Sequence, residues 1–268
     1  MQNIDPVYLA GPIVVLAFMV GLVIYWHRRG AFGGQVLLYS LIAYAGAIAL
    51  KYAVQIPTIH PFESATGGSP FALGIYYGVQ TAAFEVGGAY VVARLALSRR
   101  RLSPGDAGGF GLGLAFWENA VLFAIPLIIN YTSYYVILSA PGSGAAQVIY
   151  PILTKDSPSL FFPPSTALPL VGLAVLERVS SLLAHYSWGL LCVLGAAYGR
   201  RGYVAAALPV GFVIDFLVPF SPVVGLGVFE LAIFMISVAS LAGALALTRS
   251  DRARSRVGLP EPAPGSNT

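Results

Sequence analysis

Residues 113–123 read GLAFWENAVLF. A glutamate and an asparagine stand side by side inside a run apolar enough to cross a bilayer. On insertion scales, a charge at mid-depth costs about 2.5–3.5 kcal/mol. Glu118 and Asn119 therefore need a reason to be there, and that reason decides how the rest of the chain is read.

The whole chain shares the setting of this stretch. Of its 268 residues, 57% are hydrophobic and 10% are charged, whereas soluble domains carry about 25% charged residues. This composition defines an all-α polytopic membrane protein. The single cysteine, Cys192, excludes an internal disulfide. Seven apolar segments are drawn at about 7–26, 35–56, 71–97, 108–129, 168–198, 202–221 and 224–247. Together they predict one membrane domain over 1–250. A large outer loop spans 130–167, an outer loop 57–70, and a disordered cytoplasmic tail 251–268. The first segment runs on into YWHRRG without a small-residue cleavage site, so it reads as a retained helix.

The arginines orient the bundle. All Lys and Arg residues except Lys51, Arg94, Lys155 and Arg178 lie in HRRG, SRRRLSPGD, GRRG and the tail TRSDRARSR. These follow segments one, three, five and seven, so the N-terminus is expected outside and the C-terminus in the cytoplasm of a plasma-membrane protein. The pI near 9.2 is then a topology signal and not a nucleic-acid one. The expected partners are lipids and either a membrane-protein or peptide substrate or neighbouring subunits of a complex. Asn130-Tyr131-Thr132 matches a glycosylation sequon on the outer side.

Charges inside the spans carry the chemistry. They are Lys51, Glu85, Arg94, Glu118, Glu177, Arg178, Asp215 and Glu230, with His185 beside them. Three or four at mid-depth would cost on the order of 10 kcal/mol if left uncompensated. Counting along each segment places Glu85, Glu118, His185 and Asp215 at about one level. Glu177 and Glu230 fall nearer the outer face, and Arg94 nearer the cytoplasm. In LERVSSLLAHYSWGLL, at about 100° per residue, Ser181, His185 and Arg178 lie within about 100° of Glu177. That polar stripe must face protein or water. It serves either as glue between helices or as the wall of a wet cavity.

These segments resemble a known family. GLAFWENAVLF, with Gly113, Phe116 and the pair Glu118-Asn119, is similar to the Glu-Asn segment of PrsW- and YhfC-type intramembrane proteases. LERVSSLLAHYSWGLL resembles their Glu-Arg helix, with its histidine eight residues on. FEVGGAYVVAR resembles their first motif, and FVIDF their last. The resemblance spans about 71–220 and places the chain near the CAAX prenyl endopeptidases. It implies peptide hydrolysis in the membrane, of glutamate type or metal-dependent. Glu85 matches the water activator, Glu118 and Asn119 the second motif, His185 the third and Asp215 the last. Glu118 and His185 are the candidate ligands of a Zn²⁺ ion, with Asn119, Glu177, Arg178 and Ser181 in support. Two positions depart from the pattern. Val86 stands where the family pairs a second glutamate, and Gly211 where it has a histidine. The same superfamily includes a scaffold subunit of the gamma-secretase complex, so a non-catalytic accessory subunit is the first alternative. A transporter or ion pathway would use the same buried acids and is the second. A retinal protein is excluded, because 224–247 contains no lysine.

Overall fold

The computed structural model describes residues 2–257, with residues 250–257 as helical backbone alone. Every regular element among the described residues is a helix. A short 3₁₀ turn, Pro6–Leu9, leads into α1 (Ala10–Arg28). It is followed by α2 (Gly34–Thr66), α3 (70–98), α4 (Pro104–Leu138), α5 (Gly144–Asp156), α6 (Pro164–Tyr198), α7 (Arg201–Leu217) and α8 (Leu226–Val257). The expected tail beyond Val257 lies outside the described residues.

Six of these helical stretches are long and apolar enough to cross a membrane. The segment expected at 71–97 is α3. Its residues include Gln80, Glu85, Arg94 and several small residues, which lower its hydropathy. At about 1.5 Å per residue it is still longer than the roughly 30 Å hydrocarbon core. Outward side chains are apolar as well. Ile56 is 75% exposed and Val223 70%, exposures that suit lipid better than water.

Both expected outer loops contain helix. The break at Pro57 does not occur, and α2 continues through Pro57 and Pro61 to Thr66. Each proline removes one backbone hydrogen bond, and the Thr58 hydroxyl donates to the Val54 carbonyl in the same turn at 2.6 Å. The helix stops instead at Gly67, whose φ of +60° is left-handed. The stretch 130–167 is mostly helical, comprising the end of α4, then α5, a 3₁₀ turn at Pro158–Phe161 and the start of α6. It packs with the N-terminal residues in a separate core of Ile4, Tyr8, Leu138, Leu153 and Leu160. The Tyr8 hydroxyl donates to the Ser159 carbonyl, and Asn3 Nδ2 donates to Tyr135 O at 3.2 Å. Asn130 sits exposed within α4.

The main core is built on close helix crossings. A Cβ on Gly189 of α6 would lie 2.5 Å from Gly111 Cα of α4. Only glycine lets two backbones approach this closely, a common device at membrane helix interfaces. The crossing also sets the register of the site. Glu118 is seven residues beyond Gly111 and His185 four before Gly189, so each is close to its glycine's helix face.

Candidate active site

Both central glutamates sit on local departures from α-helix. Glu85 lies in a π-helical segment of α3, Thr81–Val86. Glu118 lies in another within α4, Trp117–Ala124. Such wide turns are rare and frequently mark functional positions. Nothing in the sequence announces them.

His185 stands between the two carboxylates. Its Nε2 is 2.8 Å from Glu118 Oε2 and 3.3 Å from Glu85 Oε2. Its Nδ1 is 2.9 Å from the Ser181 carbonyl. A carbonyl only accepts, so Nδ1 carries a proton and the tautomer is assigned by that bond. A neutral ring then turns the Nε2 lone pair toward two carboxylate oxygens. That arrangement is repulsive unless a proton or a metal cation lies between them. The ring is held in place by Trp188, whose centroid is 4.2 Å away, and by Tyr44 at 6.0 Å.

Each glutamate is anchored through its other oxygen. Lys51 of α2 donates from Nζ to Glu85 Oε1 at 2.6 Å, to Asp215 Oδ2 at 2.9 Å and to Thr81 Oγ1 at 2.9 Å. The Thr81 hydroxyl donates to the Asp215 carboxylate. On the other side, Arg178 Nη1 donates to Glu118 Oε1 at 3.2 Å, and Nη2 donates to Glu177. Arg178 also stacks its guanidinium 4.4 Å from the Phe123 ring centre. Two cations thus aim two carboxylates at one imidazole nitrogen.

These groups line a cavity of about 450 Å³. Five carboxyls reach it: Glu85, Glu118, Glu177, Asp215 and Glu230. Lys51 and Arg178 are the two permanent cations on the same wall. Carboxyl groups on the cavity lining outnumber the basic side chains there, His185 included.

Several expectations change here. Glu85, Glu118 and His185 do meet. Asp215 joins them through Lys51 and has no direct contact with His185. Glu177 and Glu230, placed nearer one face by counting, line the same cavity. Asn119, a supporting candidate from the sequence, does not line it. It is wholly buried elsewhere, and neither amide atom has a hydrogen-bond partner among the described residues. Adjacent helix residues point about 100° apart, so the face that brings Glu118 inward turns Asn119 away. Lys51, Thr81, Tyr44 and Trp188 also belong to the site, beyond the site candidates named from the sequence. For Lys51 the signal was present, because an intramembrane lysine needs acidic partners. The premature end drawn for α2 hid it.

The two departures from the family pattern touch each other. Val86 Cγ2 lies 2.7 Å from where a Cβ on Gly211 would sit. The two positions are fitted as a pair by an apolar contact.

Whether a metal fits can be tested on the donors. No trio of His, Cys, Asp and Glu among the described residues forms a ready-made metal cage. Around a tetrahedral ion with bonds of about 2.0–2.1 Å, neighbouring donors lie about 3.3 Å apart. The proposed ligand pair, Glu118 and His185, lies 2.8 Å apart and would have to open by about half an ångström to meet this, and Glu85 Oε2, 3.3 Å from Nε2, would stand beside the ion. Donor type, the buried Nε2 without a well-aligned hydrogen bond and the excess of carboxylates all fit a divalent cation. The Nδ1 bond to a carbonyl is the usual orienting contact of a ligating histidine.

Membrane-length helices around a buried Glu–His–Glu cluster describe a multi-pass membrane protein with ionisable groups gathered between its helices. Residues 13–238 match the sequence profile of the YhfC intramembrane metalloprotease family. The chain belongs to that family. No curated protein and no solved structure matches it.

Proposed function

We propose that the protein is a metal-dependent intramembrane endopeptidase acting at the Glu85–His185–Glu118 centre. The observation that carries this reading is the pair of cation-anchored carboxylates converging on His185 Nε2. Glu118 and His185 would hold a Zn²⁺-like ion, with Glu85 beside them. When bound, such an ion polarises the scissile carbonyl and acidifies a water molecule.

The chain's own residues do the rest. Lys51 occupies Glu85 Oε1 and leaves Oε2 facing the cavity. That oxygen takes a proton from the attacking water and returns it to the leaving amine. Ser181 fixes the tautomer and rotation of His185. Burial among Tyr44 and Trp188 limits bulk water and strengthens each of these interactions.

The test uses the full chain in lipid nanodiscs and a library of membrane-inserted peptides. Glu85→Gln should lower cleavage by about 10²–10⁴-fold, the usual range for a lost general base, and leave the melting temperature within a few degrees. Full cleavage in that variant would refute the assignment.

A second reading, a non-catalytic subunit, draws on one observation. Val86 and Gly211 pack together where the family resemblance would place a glutamate and a histidine. Failure of the wild-type chain to cleave any peptide, together with its recovery in a stable complex, would favour that reading.

The proposed orientation places the ends of α1, α3 and α6, which carry the arginine clusters, in the cytoplasm. Cys192 is buried and will give little background labelling. A cysteine at Ser157 should react from outside intact cells and one at Ser98 should not. Equal labelling of both contradicts the orientation.

A further inference from the structure

The two sides of the cavity differ in how their acids are matched. Lys51 serves Glu85 and Asp215. Arg178 serves Glu118 and Glu177. Glu230, in the first turns of α8, is left over. It is only 3% exposed, it lines the same cavity, and its Oε2 has no hydrogen-bond partner among the described residues. None of the described salt bridges includes it. Glu177, whose side chain is 40% exposed, lines the same cavity. A buried carboxylate is unfavourable unless a cation or a hydrogen-bond donor meets it.

An apolar chamber adjoins this corner. Its volume is about 490 Å³, and its walls include Tyr8, Pro12, Leu127, Val171 and Leu226. It shares Phe123 and Glu177 with the main cavity. The corner thus combines an unmatched acid with a greasy pocket, within one ion pair of Glu118.

We propose that Glu230 and Glu177 form a subsite for a cationic group of the bound peptide, a Lys or Arg side chain or a free N-terminal ammonium, next to an apolar residue held in the adjoining chamber. This deepens the endopeptidase reading and rests on it for the word substrate, but its recognition chemistry does not require turnover. The cation would complete the charge balance that Arg178, already shared by two carboxylates, leaves open. The same wall disfavours an acidic side chain at that position.

The test is a binding measurement, and it stands whether or not the protein cleaves. Acetyl-Leu-Leu-Lys-amide and acetyl-Leu-Leu-norleucine-amide are titrated into the full chain in zwitterionic nanodiscs, with empty nanodiscs subtracted. The titrations are repeated in the Glu85→Gln background, where hydrolysis is removed. The lysine probe should bind at least about tenfold tighter, the scale of one buried charge pair. Glu230→Gln, which keeps the side-chain shape, should shrink that ratio below about threefold and leave the norleucine affinity unchanged. Glu177→Gln should reduce the ratio in the same direction. Equal affinities in wild type, a ratio that survives Glu230→Gln, or no binding of either probe would overturn the proposal. Loss of cleavage alone, with the lysine preference intact, would count against the protease reading and leave the subsite standing.

Discussion

Glu85 and Glu118 flank the same histidine, yet their surroundings are unlike. On the Glu85 side Lys51, Thr81 and Asp215 close a compact network, with side-chain exposures of 13% for Lys51 and 9% for Glu85. On the Glu118 side Arg178 bridges outward to Glu177, which is 40% exposed, and Glu230 stays unmatched. The first side is built to hold a carboxylate in one orientation, with one oxygen anchored and the other free to exchange a proton. The second is built to receive something. A buried network whose groups are matched fixes geometry, whereas an unmatched buried group is costly and needs an explanation.

The comparison can be broken by removing its two cations. Lys51→Leu leaves Glu85 and Asp215 without their shared partner, and the expected loss is about 3–5 kcal/mol. Chemical or thermal unfolding in detergent measures it. Arg178→Leu should cost less, about 1–3 kcal/mol, because Glu177 can turn to water and Glu118 retains His185. A larger loss for Arg178 than for Lys51 would invert the account of the two sides. The double change Lys51→Leu with Asp215→Leu should recover part of the single-variant loss, since fewer unpaired charges remain buried. Asn119→Leu, off the cavity, should shift stability by no more than about 1 kcal/mol in either direction, because its amide makes no hydrogen bonds that could be lost. A drop in activity without a drop in stability would place Asn119 closer to the chemistry than its position indicates.

Much of this was legible in the sequence, for physical reasons that differ by feature. Helical class and membrane setting follow from composition, because lipid leaves the backbone no alternative to helices or barrels. The meeting of Glu85, Glu118 and His185 follows from depth, since charges placed at one level of different spans must find each other or water. Arg178 was identifiable from the face it shares with Glu177, Ser181 and His185. Other features were hidden. The π segments depend on tertiary packing and leave no mark in a propensity. Pro57 and Pro61 look like a break, yet the helix passes through them and ends at Gly67, which moves Lys51 from the end of a span to its middle. Asn119 was carried along by its neighbour, although one residue's step turns a side chain onto another face. The contact between Val86 and Gly211, 125 positions apart in sequence, is visible only in three dimensions.

The central claim is that His185 Nε2 and the two carboxylates aimed at it form a metal-binding hydrolytic centre. A Zn²⁺ titration of the full chain in nanodiscs, followed by calorimetry, tests it most directly. One site per chain is expected, retained in Glu230→Gln, weakened at least tenfold in Glu118→Gln, as the loss of one charged ligand requires, and abolished in His185→Ala. The absence of a site in the wild-type chain, or a site that survives His185→Ala unchanged, would contradict the account.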